Sequence, residues 1–520
     1  MRVPRLLGLR VSRRGKRITR FRRTGRAGAN GMKKRLIGRE NQLDMVPEFQ
    51  TRTLRLPPVV DTACGMWFAI FRENGVQMPV QAELLTGLSR CFPIQTAKTS
   101  LPIMKDVSLI DLVCGISSAL DYISPAVTGH HRRVGLGAVA LASQVGVPAS
   151  SLVDLLLAGL MHDIGAFSMD LALDGLKFDS DLKEHAVVGY RLLKDHPFLE
   201  RASRMVLYHH TCWRDLRVIR QEGDRETLLL ANIINLADRV DILRRVGTSS
   251  RERREVEQAV AGFTSDLYAP RLLEAFRELA DGGLFWPLVE DMDRPVREML
   301  SRNLLDVRIT PDELIDFSSF FTRIIDFRSR HTATHTAGVA ESAVLLAKLA
   351  GMSEQEQKAM RLAGNLHDIG KLAVPTALLD KPGALDSDEY VKVQDHATVC
   401  AEVLRSIPGL GEVADWACQH HERLNGKGYP LGLTADQLSL GSRIMQVADV
   451  HTAITEDRPY RKGMTRERVV TVLRSMADNG FLDPDIVNLI IENHDRFDAV
   501  RTIVQSRALS EFRRFAEASR

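Results

Sequence analysis

The chain has 520 residues, 44% hydrophobic and 26% charged, a globular balance with room for two to four domains. Residues 1–36 carry 14 Lys or Arg and no acid, so the formal charge of +4 hides a mildly acidic body that argues against a general nucleic-acid surface. The six cysteines are scattered without a CxxC pair, which argues against a thiolate metal finger and for free thiols in a reducing cytosol. No apolar stretch reads as reaching the roughly 18 residues of a membrane-crossing helix.

Residues 1–45 are Arg-rich and lack the apolar core of a signal peptide. Three readings stand: a disordered basic arm, an acid-free targeting segment, or a start misplaced upstream of Met32. Residues 46–105 form a small segment of no assigned role. Within it, Trp67–Phe71 reads as a short strand or buried helical turn, and Gln81–Leu88 reads as a helix.

From residue 106 onward the chain repeats itself. His130 precedes His162 by 32 residues, and His335 precedes His367 by 32. His185 precedes His209 by 24, and His396 precedes His420 by 24. Both copies then show a His-His pair, His209-His210 and His420-His421, followed 28 residues later by Asp238 and Asp449. Leu109-Ile110-Asp111 and Leu314-Ile315-Asp316 open the copies at matching distances, and Asp121 and Asp326 each lie nine residues before their histidine. One gap differs: His162 to His185 is 23 residues, His367 to His396 is 29. That places a longer loop beside the second site, where specificity diverges on a shared scaffold. A lone helical histidine is usually a satisfied core residue. Spacings repeated in register turn that expectation toward metal ligands.

In the second copy His335, His367, Asp368, His396, His420, His421 and Asp449 make an imidazole–carboxylate set without thiolate. Such a set suits Mn, Fe, Ni, Co or Zn. Seven ligands exceed the needs of one ion, so two metals are expected, with Asp368 as the bridging carboxylate. Lys371 stands one helical turn beyond His367, where it reads either as a cation facing a phosphate or as a solvated surface charge.

The ordered series resembles the HD superfamily of metal-dependent phosphohydrolases, and residues 310–480 resemble its HD-GYP subfamily. The motifs are His335-Thr336-Ala337-Gly338-Val339, His367-Asp368-Ile369-Gly370-Lys371, Val374-Pro375 through Leu379 with Lys381-Pro382-Gly383, His420-His421-Glu422-Arg423-Leu424-Asn425-Gly426-Lys427-Gly428-Tyr429-Pro430, and Asp457-Arg458-Pro459-Tyr460-Arg461. The resemblance implies an all-α fold of two tandem HD-type helical bundles. It implies an enzyme that hydrolyses cyclic di-GMP to pGpG or GMP by attack of a metal-bridging hydroxide on phosphorus. The alternatives are 3′3′-cGAMP hydrolysis and a catalytically weak cyclic-dinucleotide receptor. The seven residues above would hold two divalent transition metals, with Fe or Mn favoured. Asp368 and Lys371 would be catalytic, and Lys371, Tyr429, Arg458 and Arg461 would contact substrate. For Tyr429, plain loop packing is an equal reading.

The second copy departs from the family at two positions. Asn425 stands where Asp is usual, and Thr452 stands where a second Asp is common; losing that carboxylate is expected to weaken metal or substrate binding. His331, one turn before His335, occupies the position where some members hold a third metal through Glu. In the first copy His130, His162, Asp163, His185, His209, His210 and Asp238 keep every ligand position. Ala166 replaces the lysine there, His209-His210-Thr211-Cys212-Trp213 lacks the Gly-Tyr-Pro element, and Asp241 keeps the second acid. The first copy therefore reads as a degenerate, regulatory HD domain. The domains are expected at 1–45, 46–105, 106–300 and 301–520, with a mostly helical connection over 245–310. The expected partner is a cyclic dinucleotide, with no DNA. A homodimer or a signalling partner stays open, and the expected location is cytoplasmic.

Overall fold

The structure, a computed structural model, describes residues 104–122, 128–168, 182–219, 225–244, 249–291, 307–328, 334–381, 383–457 and 462–518. The basic tail with Met32, residues 46–103, His331, Arg458 and Arg461 lie outside them. The protein is all-α. Among the described residues the paired strands are two dipeptides, Val107–Ser108 and Arg308–Ile309, antiparallel with Val107 opposite Ile309.

The duplication in sequence is a duplication in space. The helices His130–Gln144, Ala149–Leu160, Leu182–Leu193, Glu200–Tyr208 and Arg225–Arg244 recur in the same order as His335–Leu349, Glu354–Leu366, Ser387–Arg405, Glu412–Cys418 and Leu440–Thr455. The connection over 245–310 contains the helices Ser250–Ala261, Pro270–Asp281 and Phe285–Glu290, as its periodicity predicts. Arg466–Asp478, Pro484–Glu492 and His494–Ala518 complete the second bundle.

The helix that carries the second HD pair shows how these elements are specified. Ser353 caps it: its hydroxyl accepts from the Glu356 amide, while the Glu356 carboxylate accepts from the Ser353 amide. Ala359, Met360, Leu362, Ala363 and Leu366 then form its buried stripe. Gly364 lets it approach the His335 helix backbone to backbone, since a Cβ there would lie 2.5 Å from the Ala340 Cα. The first copy repeats the device with Gly159, whose Cβ would lie 2.6 Å from the Gly135 Cα.

The opening helix of each copy also packs on the other copy. Leu109–Asp121 lies against the second copy's Ser387–Arg405 helix and its HD turn. Gly115 makes the approach close, because its Cβ would sit 2.9 Å from Ile407, and the Tyr122 hydroxyl donates to Glu402. Reciprocally, Pro311–Arg328 meets the HD turn of the first copy, and the Phe317 ring stands edge-on to His196 at 4.3 Å. The two bundles consequently share a continuous apolar core.

One sequence expectation needs correction. Ala149–Ala166 does reach the length and hydropathy of a membrane-crossing segment, at 18 residues, and 72% of it is buried inside the protein. It contains Asp154 and the His162-Asp163 pair, and its helix stops at Leu160. These are the features of a core helix that ends at a polar site.

Candidate metal centre

Each HD pair is held by a helix end followed by a tight turn. In the second copy the helix ends at Leu366, and a 3-10 turn runs Ile369–Ala373. Gly370 seats this turn on the neighbouring helix, since a Cβ would lie 1.8 Å from the His396 carbonyl oxygen and 2.8 Å from the Cys400 nitrogen. Gly165 does the same in the first copy, 2.0 Å from the His185 oxygen. This glycine therefore brings the HD carboxylate against the helix that bears the next histidine.

The histidines are oriented by the helices they end or interrupt. His367 Nδ1 faces the Gly364 carbonyl at 2.7 Å, His420 Nδ1 faces Ala417 at 2.6 Å, and His396 Nδ1 faces Val393. A carbonyl can only accept, so each Nδ1 carries the proton and each Nε2 presents its lone pair. The Nε2 atoms of His367, His396 and His420 are buried without a hydrogen-bond partner among the described residues. Burial pushes the His420 and His396 pKa values down to about 3 and about 4, so both rings are neutral at pH 7.

Two groups converge. His396, His420 and His421 offer atoms within 4.8 Å of one another, and so do His335, His367 and Asp368. Asp368 stands between them, with Oδ2 3.2 Å from His367 Nε2 and Oδ1 3.8 Å from His396 Nε2. Asp449 closes the ring at 3.0 Å from His335 Nε2 and 3.9 Å from His421. Lys371 reaches in from the turn and places its ammonium 2.6 Å from Asp368 Oδ2. Burial would raise the Asp368 pKa, but the His367 imidazole and the Lys371 ammonium reverse this and hold it well below the usual carboxylate range. Orphaned imidazole nitrogens set against ionised carboxylates in a buried pocket fit a divalent cation.

The His-His-Glu element builds one wall. Glu422 is buried and accepts from the Leu431 and Leu433 amides at 2.7 and 2.9 Å, which folds the loop back over the site. Gly428 permits that fold, because a Cβ would lie 2.4 Å from the Glu422 Cα. Tyr429 then packs its ring on His421, 4.8 Å between centroids, with a buried hydroxyl that has no hydrogen-bond partner among the described residues. Asn425 proves to be more than a neutral stand-in for Asp. Its Oδ1 accepts from the Lys427 amide at 3.1 Å, and its Nδ2 donates to the Asn479 carbonyl at 3.1 Å, a bond no carboxylate can make.

Sequence reasoning missed Glu456. Its Oε1 lies 3.2 Å from His335 Nδ1, in an off-line ion-pair geometry. Burial would lower the His335 pKa, but Glu456 and Asp449 override it and raise it to about 9. The carboxylate read as lost at Thr452 is thus present one helical turn further on. The surviving signal was an acid four residues after Thr452, which places it on the same helix face.

The first copy keeps the cluster as well. His130, His162 and Asp238 converge within 4.8 Å, as do Asp163, His185, His209 and His210. His162 and His209 are oriented by the carbonyls of Gly159 and Val206. His210 Nε2 lies 3.1 Å from His185 Nε2. Ala166 is buried in place of the lysine, and Trp213–Leu216 is a short helix where the other copy carries its Gly-Tyr-Pro loop.

Each of the two helical bundles thus buries a His/Asp cluster suited to divalent metal. The HD domain family matches residues 319–486 and again residues 127–243. The chain is 32% identical to the 3′3′-cGAMP-specific phosphodiesterase 1 of Vibrio cholerae over 76% of its own length and 94% of that protein. It is 39% identical to a cyclic di-GMP phosphodiesterase of Pseudomonas aeruginosa over 31% of this chain and 39% of that one. The crystal structure of a cyclic GMP-AMP-specific phosphodiesterase of Vibrio cholerae superposes with a TM-score of 0.54 at 21% identity, covering 78% of this chain and 98% of that one. The chain belongs to the HD-domain cyclic-dinucleotide phosphodiesterases.

Proposed function

We propose that the second copy hydrolyses cyclic di-GMP to pGpG or GMP, and that the first copy is a non-hydrolytic partner domain. The observation that carries this reading is the asymmetry at one position. Lys371 contacts the HD carboxylate of the second copy, and the buried methyl of Ala166 replaces it in the first. Two divalent cations, Fe or Mn by family resemblance, would be held by His335, His367, Asp368, His396, His420, His421 and Asp449. When bound, such a pair supplies Lewis acidity and a water of lowered pKa.

The chain's own residues do the rest. Asp368 stays ionised and turns one oxygen toward each histidine group. Lys371 offers a cation to a non-bridging phosphate oxygen by exchanging its contact with Asp368. Tyr429 stiffens His421, and Arg458 and Arg461 bind the nucleotide through guanidinium forks. The domains run 106–300 and 301–520, and free cysteines at 114, 212, 400 and 418 accord with a cytoplasmic location.

A second substrate reading has specific support. The relative aligned across both copies is named for 3′3′-cGAMP, whereas the cyclic di-GMP relative cited aligns over a third of the chain. Incubation of the metal-loaded protein with each cyclic dinucleotide, followed by chromatography, separates the two. An Asp368→Asn variant that keeps metal and loses hydrolysis supports the site. Undiminished turnover in that variant refutes it.

A further inference from the structure

We propose that Glu456, clamped by Gln505 of the C-terminal helix, is the positioning residue for the metal ligand His335, in a role the first copy gives to Asp241 and Arg133. The inference rests on the reading that the second copy holds metal.

The two copies make the comparison internally. In the first, His130 turns Nε2 toward Asp238 at 3.4 Å, while its Nδ1 meets Asp241 Oδ2 at 2.8 Å. Arg133 fixes Asp241 through two bonds, Nε to Oδ1 at 2.6 Å and Nη2 to Oδ2 at 2.9 Å. In the second copy His335 turns Nε2 toward Asp449 at 3.0 Å, and its Nδ1 lies 3.2 Å from Glu456 Oε1, an ion-pair contact outside hydrogen-bond geometry. Gln505 Nε2 donates to Glu456 Oε2 at 3.2 Å, and Arg501 in turn donates to Gln505 Oε1 at 2.8 Å.

Both halves of the clamp have moved. Asp241 lies three residues after Asp238, and the position three after Asp449 is Thr452, whose buried hydroxyl has no hydrogen-bond partner among the described residues. Arg133 lies three residues after His130, and the position three after His335 is Gly338. A Cβ at Gly338 would lie 2.8 Å from Thr452 Cγ2 and 2.9 Å from Gln505 Nε2. The glycine therefore opens the space that Gln505 enters from another helix. A longer carboxylate one turn further along then reaches the same imidazole nitrogen. One donor to it comes from residue 505, so the helix His494–Ala518 is part of the metal centre as well as of the bundle.

The partner of a metal-bound imidazole fixes its ring and raises its basicity, and removing such a partner costs about 10–100-fold in metal affinity. The test is metal retention, read by elemental analysis after dialysis against a graded chelator series, with hydrolysis measured alongside. Glu456→Ala is expected to lose metal at about 10–100-fold lower chelator than wild type. Adding Thr452→Asp to Glu456→Ala restores the carboxylate at the first copy's position and is expected to recover most of that loss. Glu456→Gln, which keeps the shape and the contact with Gln505, serves if the alanine variant does not fold, and falls between the two. Wild-type retention in both Glu456 variants, or a loss that Thr452→Asp does not repair, overturns the proposal. Wild-type protein that takes up no metal in its second copy overturns instead the reading on which the proposal rests.

Discussion

Replacing Gly370 by Ala tests the geometry at its tightest point. The new methyl would begin 1.8 Å from the His396 oxygen and 2.7 Å from its carbonyl carbon, both backbone atoms of a packed helix. No rotamer relieves a Cβ clash, so the turn and helix must part by more than ~1 Å. Overpacking of this kind costs about 1–3 kcal/mol of stability. The larger effect is local. The displacement separates Asp368 from His396, and misplacement by ~1 Å at a reacting centre costs about 10²-fold in rate. Gly165→Ala is the matched control, because its methyl would meet the His185 oxygen at 2.0 Å in the first copy. Both variants should unfold at lower denaturant. Gly370→Ala should lose metal from the second cluster and fall at least about 10²-fold in kcat, while Gly165→Ala keeps most of its turnover. A Gly370→Ala enzyme with wild-type kcat and metal content would refute the reasoning.

Other outcomes follow from the same contacts. Lys371→Met should retain metal and lose about 10²–10³-fold in kcat, as expected when a group that stabilises transition-state charge is removed; an unchanged rate would return Lys371 to a surface role. Asn425→Asp restores the residue usual in the family, yet should destabilise the loop by about 1 kcal/mol, because the Asn479 carbonyl loses its donor; equal or greater denaturant resistance would contradict this. In chelated protein, the raised His335 pKa means its stabilisation is fully present below 6.5 and is lost as pH rises through about 9. The lowered Asp449 pKa means its stabilisation is present above 3.8 and is lost as pH falls through about 2. His420 and His396, with pKa values lowered to about 3 and about 4, lose stabilisation as pH falls below 6.5, so the melting temperature of the metal-free protein should be highest near pH 6.5 and should decline from neutral pH toward 9. A rise over that interval would contradict the ion pairs.

The ligand sets were legible because the histidines come from successive helices, at a start (His335), within (His396) or just past an end (His367, His420, His421). Three spans between ligands keep their lengths even where helix bounds differ, as in Leu182–Leu193 against Ser387–Arg405, so spacings of 32, 24 and 28 survive as a pattern in one dimension. The tandem all-α fold was legible through the HD resemblance that the ordered motifs carry. The reciprocal packing of Leu109–Asp121 and Pro311–Arg328 was not, since no local periodicity tells a helix which of two similar bundles it will also cover. Glu456 escaped notice because the carboxylate moved one turn along its helix, and its clamp came from residue 505, far away in the chain. Asn425 was read only as a departure from the usual Asp. Only the position of the Asn479 carbonyl shows it as a gained donor. The placement of Arg458 and Arg461 lies outside the described residues.

The central claim is that one of two similar clusters does the hydrolysis. Two double variants, His367→Ala with Asp368→Ala and His162→Ala with Asp163→Ala, should be loaded with Mn or Fe, checked for folding by circular dichroism, and given cyclic di-GMP and 3′3′-cGAMP. The account predicts that linear product disappears in the first variant and persists in the second. Product that persists in the first variant and disappears in the second would place the chemistry in the copy without the lysine and contradict the account.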